Sequence, residues 1–126
     1  MKLPFLWWLP FGGVPEIEPK KLRDWLDEGR TVQIVDARTG LEYQQGTIGD
    51  ARHAPVTGMP AVMEQIALDK EQPLDKAHPV VVLCFSGHRS RPGTRWLRAR
   101  GFQAYSLKGG VMAWRLAGFP LEKSEV

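Results

Sequence analysis

The sequence has little cysteine and little histidine: one cysteine and three histidines among 126 residues. A single cysteine excludes an internal disulfide, and the spacing of His53, His78 and His88 resembles no zinc site. We therefore predict neither a metal nor a cofactor. An unpaired thiol suits a reducing compartment, so the cytoplasm is the expected location. The lone thiol, Cys84, becomes the first candidate for chemistry.

A strong charge of either sign is also missing. The formal net charge is only +3. Such a small basic excess can attract small anions or an acidic partner protein over a distance. No basic stripe interleaved with aromatic residues stands out, so we predict no nucleic-acid binding.

Long hydrophobic runs are absent as well. The first fourteen residues, MKLPFLWWLPFGGV, are apolar and aromatic, but Pro4 and Pro10 interrupt them. A membrane-spanning helix needs about 20 apolar residues, and no small-residue cleavage site follows as in a secretory signal. We interpret residues 1–14 as an arm that packs on the domain or on a second copy of the chain, which would make a homodimer. Contact with a membrane surface or a partner is the alternative.

What the sequence does contain is an alternation of short β-rich runs and helical patterns, within a length that suits one domain. This alternation predicts an α/β fold, in which helices cover both faces of a parallel sheet. We expect residues 15–120 to form the domain and residues 121–126 a short C-terminal tail. Expected strands include residues 31–35, 53–56, 80–83 and 102–107, and expected helices begin near residues 19, 40, 59, 90 and 111. Helical spacing places Met59, Met63 and Trp96 in the core.

Cys84 stands at a favourable place in this pattern. Val80 to Leu83 are apolar without alternation, which is typical of a strand buried on both faces. Cys84 follows at the carboxyl edge of the sheet, where open α/β folds bind ligands. The next residues offer backbone N–H groups, a flexible glycine and an arginine, and can form an anion-binding nest at a helix N-terminus that stabilises a thiolate. These loop residues are Phe85, Ser86, Gly87, His88 and Arg89.

Polar residues also end the strand predicted at 31–35. Asp36 and Arg38 follow it and either frame a pocket beside Cys84 or form a structural polar network. Thr39 and Glu42 have the spacing of a capping box, which predicts a short helix over residues 40–45. The cap by itself explains Glu42 without any functional role.

Four segments resemble the rhodanese family, in the order in which that family has them. The most specific is the pattern C-x-x-G-x-R-S after an apolar strand, followed by L-x-G-G and a tryptophan. The resemblance covers about residues 15–120 and implies a rhodanese-like fold with a central parallel sheet of about five strands. The segments are VDAR (35–38), EYQQGTIGDARHAP (42–55), CFSGHRS (84–90) and LKGGVMAW (107–114).

The resemblance also implies an activity. Cys84 would take the outer sulfur of thiosulfate, or of another sulfane-sulfur donor, and hold it as a persulfide until a thiol, cyanide or a thioredoxin-like acceptor removes it. Residues 85–89 would act largely through their backbone. Arg89 would either hold the sulfonate end of thiosulfate or brace the loop through an ion pair with Asp36, and His88 would face solvent. Gly109 and Gly110 would serve a tight turn and close packing beside the loop, and Trp114 would lie in the core.

One segment departs from the family pattern. Where the family often has G-H-I-P-G-A, this chain has Gly-Thr-Ile-Gly-Asp-Ala at residues 46–51. Two other functions stay open. A sulfur-relay module fed by a partner protein would have the same cysteine, and its partner could be steered by the basic helix that contains Arg91, Arg95, Arg98 and Arg100. A phosphatase or arsenate reductase of similar fold has five residues between cysteine and arginine, whereas four separate Cys84 from Arg89.

Overall fold

The computed structural model describes residues 13–58 and 60–123. Except for Gly13 and Val14, the predicted N-terminal arm lies outside the described residues. Met59, which we predicted as a core residue of a helix, lies outside them too. Among the described helices, none combines the length and the apolar character needed to cross a lipid bilayer.

Five strands form one parallel sheet. They are β1 (Glu16–Ile17), β2 (Gln33–Asp36), β3 (Arg52–His53), β4 (Val80–Leu83) and β5 (Ala104–Leu107). Their order across the sheet is β1-β5-β4-β2-β3. In the central strand β4, Val82 pairs with Val35 on one side and with Ser106 on the other. All four residues of β4 are buried, which confirms the prediction from its unbroken apolar run.

Helices cover both faces of this sheet, which confirms the predicted fold class. They are α1 (Pro19–Asp27), α2 (Gly40–Gln45), α3 (Ala61–Ala67), α4 (Arg91–Ala99) and α5 (Gly110–Leu116), and a 3-10 turn spans Val56–Gly58. The capping box at the start of α2 forms as predicted, with Thr39 and Glu42 bonding to each other's backbone N–H groups.

The core has two layers because successive side chains of a strand point to opposite faces. Val80 and Val82 pack on one face against Trp96 of α4. Val81 and Leu83 pack on the other face with Trp114 of α5. The burial of both tryptophans and of Met63 confirms the predicted core positions in α3, α4 and α5.

One strand was not predicted, and three predicted strands have different bounds in the structure. β2 begins at Gln33 rather than at residue 31 and ends at Asp36. β1 was not predicted, because a strand of two residues is too short to show a pattern. β5 begins at Ala104 rather than at residue 102, since the Phe102 N–H bonds to the Leu97 carbonyl at the end of α4. The extended piece expected at 53–56 ends early, because the chain enters the 3-10 turn at Val56.

Parallel pairing brings the ends of β2 and β4 to one edge of the sheet. Asp36 pairs with Leu83, and the Ala37 N–H donates to the Leu83 carbonyl over 2.8 Å. Cys84 and the residues that follow Asp36 therefore lie side by side at the carboxyl edge, as the sequence predicts.

Candidate active site

The Cys84 thiol lies in a buried polar pocket. Its Sγ accepts a hydrogen bond from the Gly87 N–H over 2.9 Å and lies 3.4 Å from Ser90 Oγ. Ser90 Oγ in turn bonds to Ser106 Oγ of β5, and both serines are fully buried. The sulfur therefore has one backbone donor and a pair of linked hydroxyls around it. Ser106 was not predicted as a site residue, although a serine inside a buried strand is itself unusual.

Helix α5 determines the shape of the loop after Cys84. The N–H groups of Val111 and Met112 donate to the carbonyls of Cys84 and Phe85 over 2.8 and 2.9 Å. In a trans peptide the carbonyl and the next N–H point in opposite directions. The N–H groups of Phe85 and Ser86 therefore point away from α5.

Gly109 and Gly110 allow this close contact between α5 and the loop. Both have positive φ, 71° and 65°. A Cβ atom on Gly110 would lie 2.5 Å from the Cys84 carbonyl oxygen and would also overlap the Phe85 carbonyl. This confirms that the glycine pair serves a tight turn and close packing beside the loop.

Arg89 braces the far end of the loop, but through a different partner from the one expected. Its two terminal nitrogens donate to the two carboxylate oxygens of Glu42 over 3.1 and 3.2 Å. The predicted ion pair of Arg89 with Asp36 is wrong, because Arg38 forms the ion pair with the fully buried Asp36. The role of Glu42 as the partner of Arg89 was not predicted, because its place in the capping box already explained this residue.

Asp36 and Arg38 form a buried ion pair. Arg38 Nη2 lies 2.8 Å from Asp36 Oδ2, and the Arg38 backbone N–H and Nε also donate to Asp36. Thr47 Oγ1 completes the network by donating to Asp36 Oδ2 over 2.8 Å, and Arg38 reaches the Gly46 carbonyl. These contacts tie the end of β2 to the segment after α2.

A groove of about 800 Å³ opens beside the loop. Phe85, which follows Cys84, is 47% exposed and lines it, as does Arg38. His88 is exposed and its Nδ1 lies 3.1 Å from Ser86 Oγ. Cys84 itself is 0% exposed, so Sγ lies beneath the surface of the loop in this structure.

Known proteins are similar to most of this chain. Residues 18–117 match the family model described as Rhodanese-like domain. The chain belongs to the rhodanese-like domain family. It is 34% identical to a sulfurtransferase of Allochromatium vinosum over 89% of this chain and 98% of that protein. It is 32% identical to thiosulfate sulfurtransferase GlpE of Vibrio cholerae over 77% of this chain and 85% of that protein.

A solved structure agrees with the family assignment. The rhodanese-like domain protein from Staphylococcus aureus superimposes with a TM-score of 0.67 at 30% identity, over 80% of this chain and 91% of that chain. The rhodanese-like fold predicted from the sequence, with its five-stranded parallel sheet, is thereby confirmed.

In this rhodanese-like domain, Thr47 accommodates the departure at residues 46–51. Its hydroxyl bonds to Asp36, and its backbone pairs with Glu122 in both directions over 2.7 Å. The segment is therefore held by the buried ion pair on one side and by the C-terminal residues on the other.

Helix α4 contains three of the four arginines predicted for the basic helix, and the fourth, Arg100, is its C-cap residue. Arg98 Nε donates to the Ala104 carbonyl over 2.6 Å, and Arg100 lies 3.8 Å from the ring centre of Trp96. Burial lowers the pKa of Arg95, and repulsion from Arg91 makes a smaller contribution in the same direction. Arg98 and Arg100 therefore have a structural role, and Arg95 lies where burial and a neighbouring arginine disfavour its positive charge.

Replacing Gly110 with alanine is expected to lower the free energy of unfolding by about 2–4 kcal/mol. The new Cβ would displace the carbonyls of Cys84 and Phe85, in addition to the strain of a positive φ. Urea unfolding followed by circular dichroism measures the change. Gly118→Ala is the matched control. Gly118 also has a positive φ, 86°, but no other atom lies within 4 Å of the position that a Cβ would take there. Equal losses in the two variants would show that the contact with the loop is unimportant.

The Arg89–Glu42 ion pair makes stability depend on pH. The hydrogen bond from Arg89, assisted by the Thr39 backbone N–H, lowers the pKa of Glu42 from 4.5 to about 2. A lowered pKa in the folded state gives stability that is present above pH 4.5 and is lost as the pH falls toward 2.

Glu42→Gln keeps a capping side chain but removes the charge. We expect a loss of about 1 kcal/mol at neutral pH, since solvent screens a pair whose side chains are about a third exposed. Urea unfolding of both proteins from pH 7 down to pH 2 should show this difference disappear. A difference that stays constant over this range would exclude the ion pair as its source.

Proposed function

We propose that this chain is a sulfurtransferase that carries sulfur as a persulfide on Cys84, with thiosulfate or another sulfane-sulfur compound as donor. The observation that carries the proposal is the environment of Sγ: the Gly87 N–H donates to it over 2.9 Å, in a loop anchored by α5. Relatives named sulfurtransferase and thiosulfate sulfurtransferase, 34% and 32% identical, support it.

In the first half-reaction the Cys84 thiolate attacks the outer sulfur of thiosulfate. A bond forms between Sγ and that sulfur, and the sulfur–sulfur bond of thiosulfate breaks. Its electron pair leaves with sulfite, so Cys84 becomes a persulfide anion and no external oxidant or reductant is needed. Dividing the transfer into two covalent steps lowers the barrier of each one.

In the second half-reaction an acceptor nucleophile attacks the outer persulfide sulfur. The bond from that sulfur to Sγ breaks, and its electron pair returns to Cys84 as a thiolate. A thiol, cyanide or a thioredoxin-like dithiol can act as acceptor, and the cytoplasm, where thiols stay reduced, suits this chemistry.

The residues around Sγ favour its anionic forms. The Gly87 N–H is already oriented toward the sulfur, so little reorganisation is needed when charge develops there. A thiol donates its proton toward Ser90 Oγ; once that proton is lost, the Ser90 hydroxyl can rotate to donate to the thiolate while Ser106 supports it. The Arg89–Glu42 pair keeps the loop in this shape.

Intact-protein mass spectrometry tests the proposal. The reduced protein is treated with thiosulfate, and we expect its mass to rise by one sulfur atom while one equivalent of sulfite is released. Hydrolysis of an aryl phosphate without any sulfur adduct would instead favour a phosphatase. An adduct that forms only with a persulfidated donor protein would favour the relay module.

A further inference from the structure

Exposed large apolar side chains are concentrated on one side of the Cys84 loop. Among the described residues there are five such side chains: Leu41, Leu68, Phe85, Met112 and Leu116. Phe85, Met112 and Leu116 line the groove beside the loop, and Leu41 belongs to α2, whose Glu42 and Gln45 line it as well. Leu68 instead follows α3, which contributes no residue to the groove. Grouped apolar side chains at a surface mark a contact site.

The groove is a formed cleft between α2, α5 and residues 118–121. The backbone bridge between Thr47 and Glu122 holds the C-terminal wall, and Trp114 Nε1 donates to the Pro120 carbonyl over 2.9 Å. Its volume of about 800 Å³ suits several side chains of a bound segment. An occupant therefore meets a wall that is already in place.

An occupant of this groove would also contact the sulfur-carrying loop. Phe85 is the residue after Cys84, and its side chain lines the groove. Its carbonyl is held by the Met112 N–H of α5. Binding at the groove and access to Cys84 thus involve the same loop.

The charge left over at the groove is positive. Arg38 is balanced by Asp36, and Glu42 is balanced by Arg89. Arg115 lines the groove and is exposed, and within residues 13–58 and 60–123 it forms no ion pair. A carboxylate on the occupant would complement Arg115, and the net charge of +3 would favour its approach.

We propose that this groove docks the partner protein that accepts sulfur from Cys84, and that the partner presents its thiol beside an apolar side chain and a carboxylate. The proposal rests on the sulfurtransferase function. A protein segment fits better than a small thiol, because a second exposed apolar side chain, Leu41 (68% exposed), lies one helical turn before the groove residue Gln45 on α2. The partner thiolate attacks the outer persulfide sulfur, becomes the persulfide itself, and leaves Cys84 as a thiolate.

The test uses three probes: dithiothreitol and two synthetic peptides with one cysteine each. Both peptides place leucine beside the cysteine, and they differ only in having glutamate or lysine next to it. The full chain is loaded with thiosulfate, and sulfur transfer to each probe is followed by mass spectrometry. The variants are Leu116→Ser and Arg115→Gln. Leu68→Ser is the control, since Leu68 is 70% exposed but lies away from the groove.

We expect all variants to load sulfur and to transfer it to dithiothreitol like the wild type. For the glutamate peptide, Leu116→Ser should lower kcat/KM about tenfold and Arg115→Gln about threefold, and Leu68→Ser should not change it. The wild type should prefer the glutamate peptide to the lysine peptide. Leu116 is 82% exposed, so the serine variant is expected to fold, and Arg115→Gln tests the groove independently.

The docking proposal is overturned if the wild type uses both peptides equally, or if Leu116→Ser and Leu68→Ser have the same effect. It is also overturned if sedimentation shows a dimer that Leu116→Ser dissociates, because a second copy then fills the groove. Faster transfer to both peptides after deletion of residues 1–12 would assign the groove to that segment. Absence of any persulfide on the wild type is a different result, and it contradicts the sulfurtransferase function instead.

Discussion

Replacing Cys84 with serine should reduce sulfur transfer from thiosulfate by about three orders of magnitude or more. A serine hydroxyl is a far weaker nucleophile toward sulfur and cannot form a persulfide. Serine is nearly the same size and can accept the Gly87 N–H, so the fold should remain intact. Sulfite release and the intact mass after thiosulfate treatment measure the effect, and thermal unfolding checks the fold.

The matched control for this variant is Ser90→Ala. It removes the hydroxyl that contacts Sγ but keeps the nucleophile, so sulfur still loads, at a lower rate. A sulfur adduct on Cys84→Ser equal to that on the wild type would refute Cys84 as the carrier.

Asp36→Asn should lower the free energy of unfolding by about 3–5 kcal/mol, because the buried Arg38 would lose its counter-charge. Arg38 is only 4% exposed, and its guanidinium has no other carboxylate in the network described above. Urea unfolding measures the loss. Thiosulfate loading should also slow, because Asp36 pairs with Leu83, the residue directly before Cys84. A disturbed end of β2 would therefore displace the start of the Cys84 loop.

Thr47→Val separates the charge from the hydrogen bonds in this network. It removes one hydrogen bond to Asp36 and should cost only about 1 kcal/mol. Replacing both partners of the ion pair, as in Asp36→Leu with Arg38→Met, should recover much of the loss of Asp36→Asn. Equal costs for Thr47→Val and Asp36→Asn would show that Arg38 does not depend on the charge of Asp36.

Local patterns predicted much of the fold. The unbroken apolar run at residues 80–83 predicted the central strand, and Thr39 with Glu42 predicted the start of α2. The glycine pair predicted the tight contact that begins α5. In each case neighbouring residues contain all the information, because burial on two faces, a cap and a turn are short-range properties.

The partner of Arg89 could not be predicted in the same way. Glu42 lies 47 positions from Arg89, and its capping role was sufficient by itself. Asp36 was nearer in the expected topology, but Arg38 and Thr47 already saturate its carboxylate. Which acid faces which base depends on burial and on competing hydrogen bonds, and neither is visible in the order of residues.

The sequence by itself determined the α/β class, the family resemblance, and the position of Cys84 at the carboxyl end of a buried strand. These follow from periodicity and from short motifs, each formed by consecutive residues. Only the tertiary structure decided that Ser106 lies behind Ser90, that Glu42 holds Arg89, and that α2, α5 and residues 118–121 enclose a groove. The physical reason is that these features join segments far apart in the chain, whose mutual positions arise only when the two layers of the core pack against the sheet.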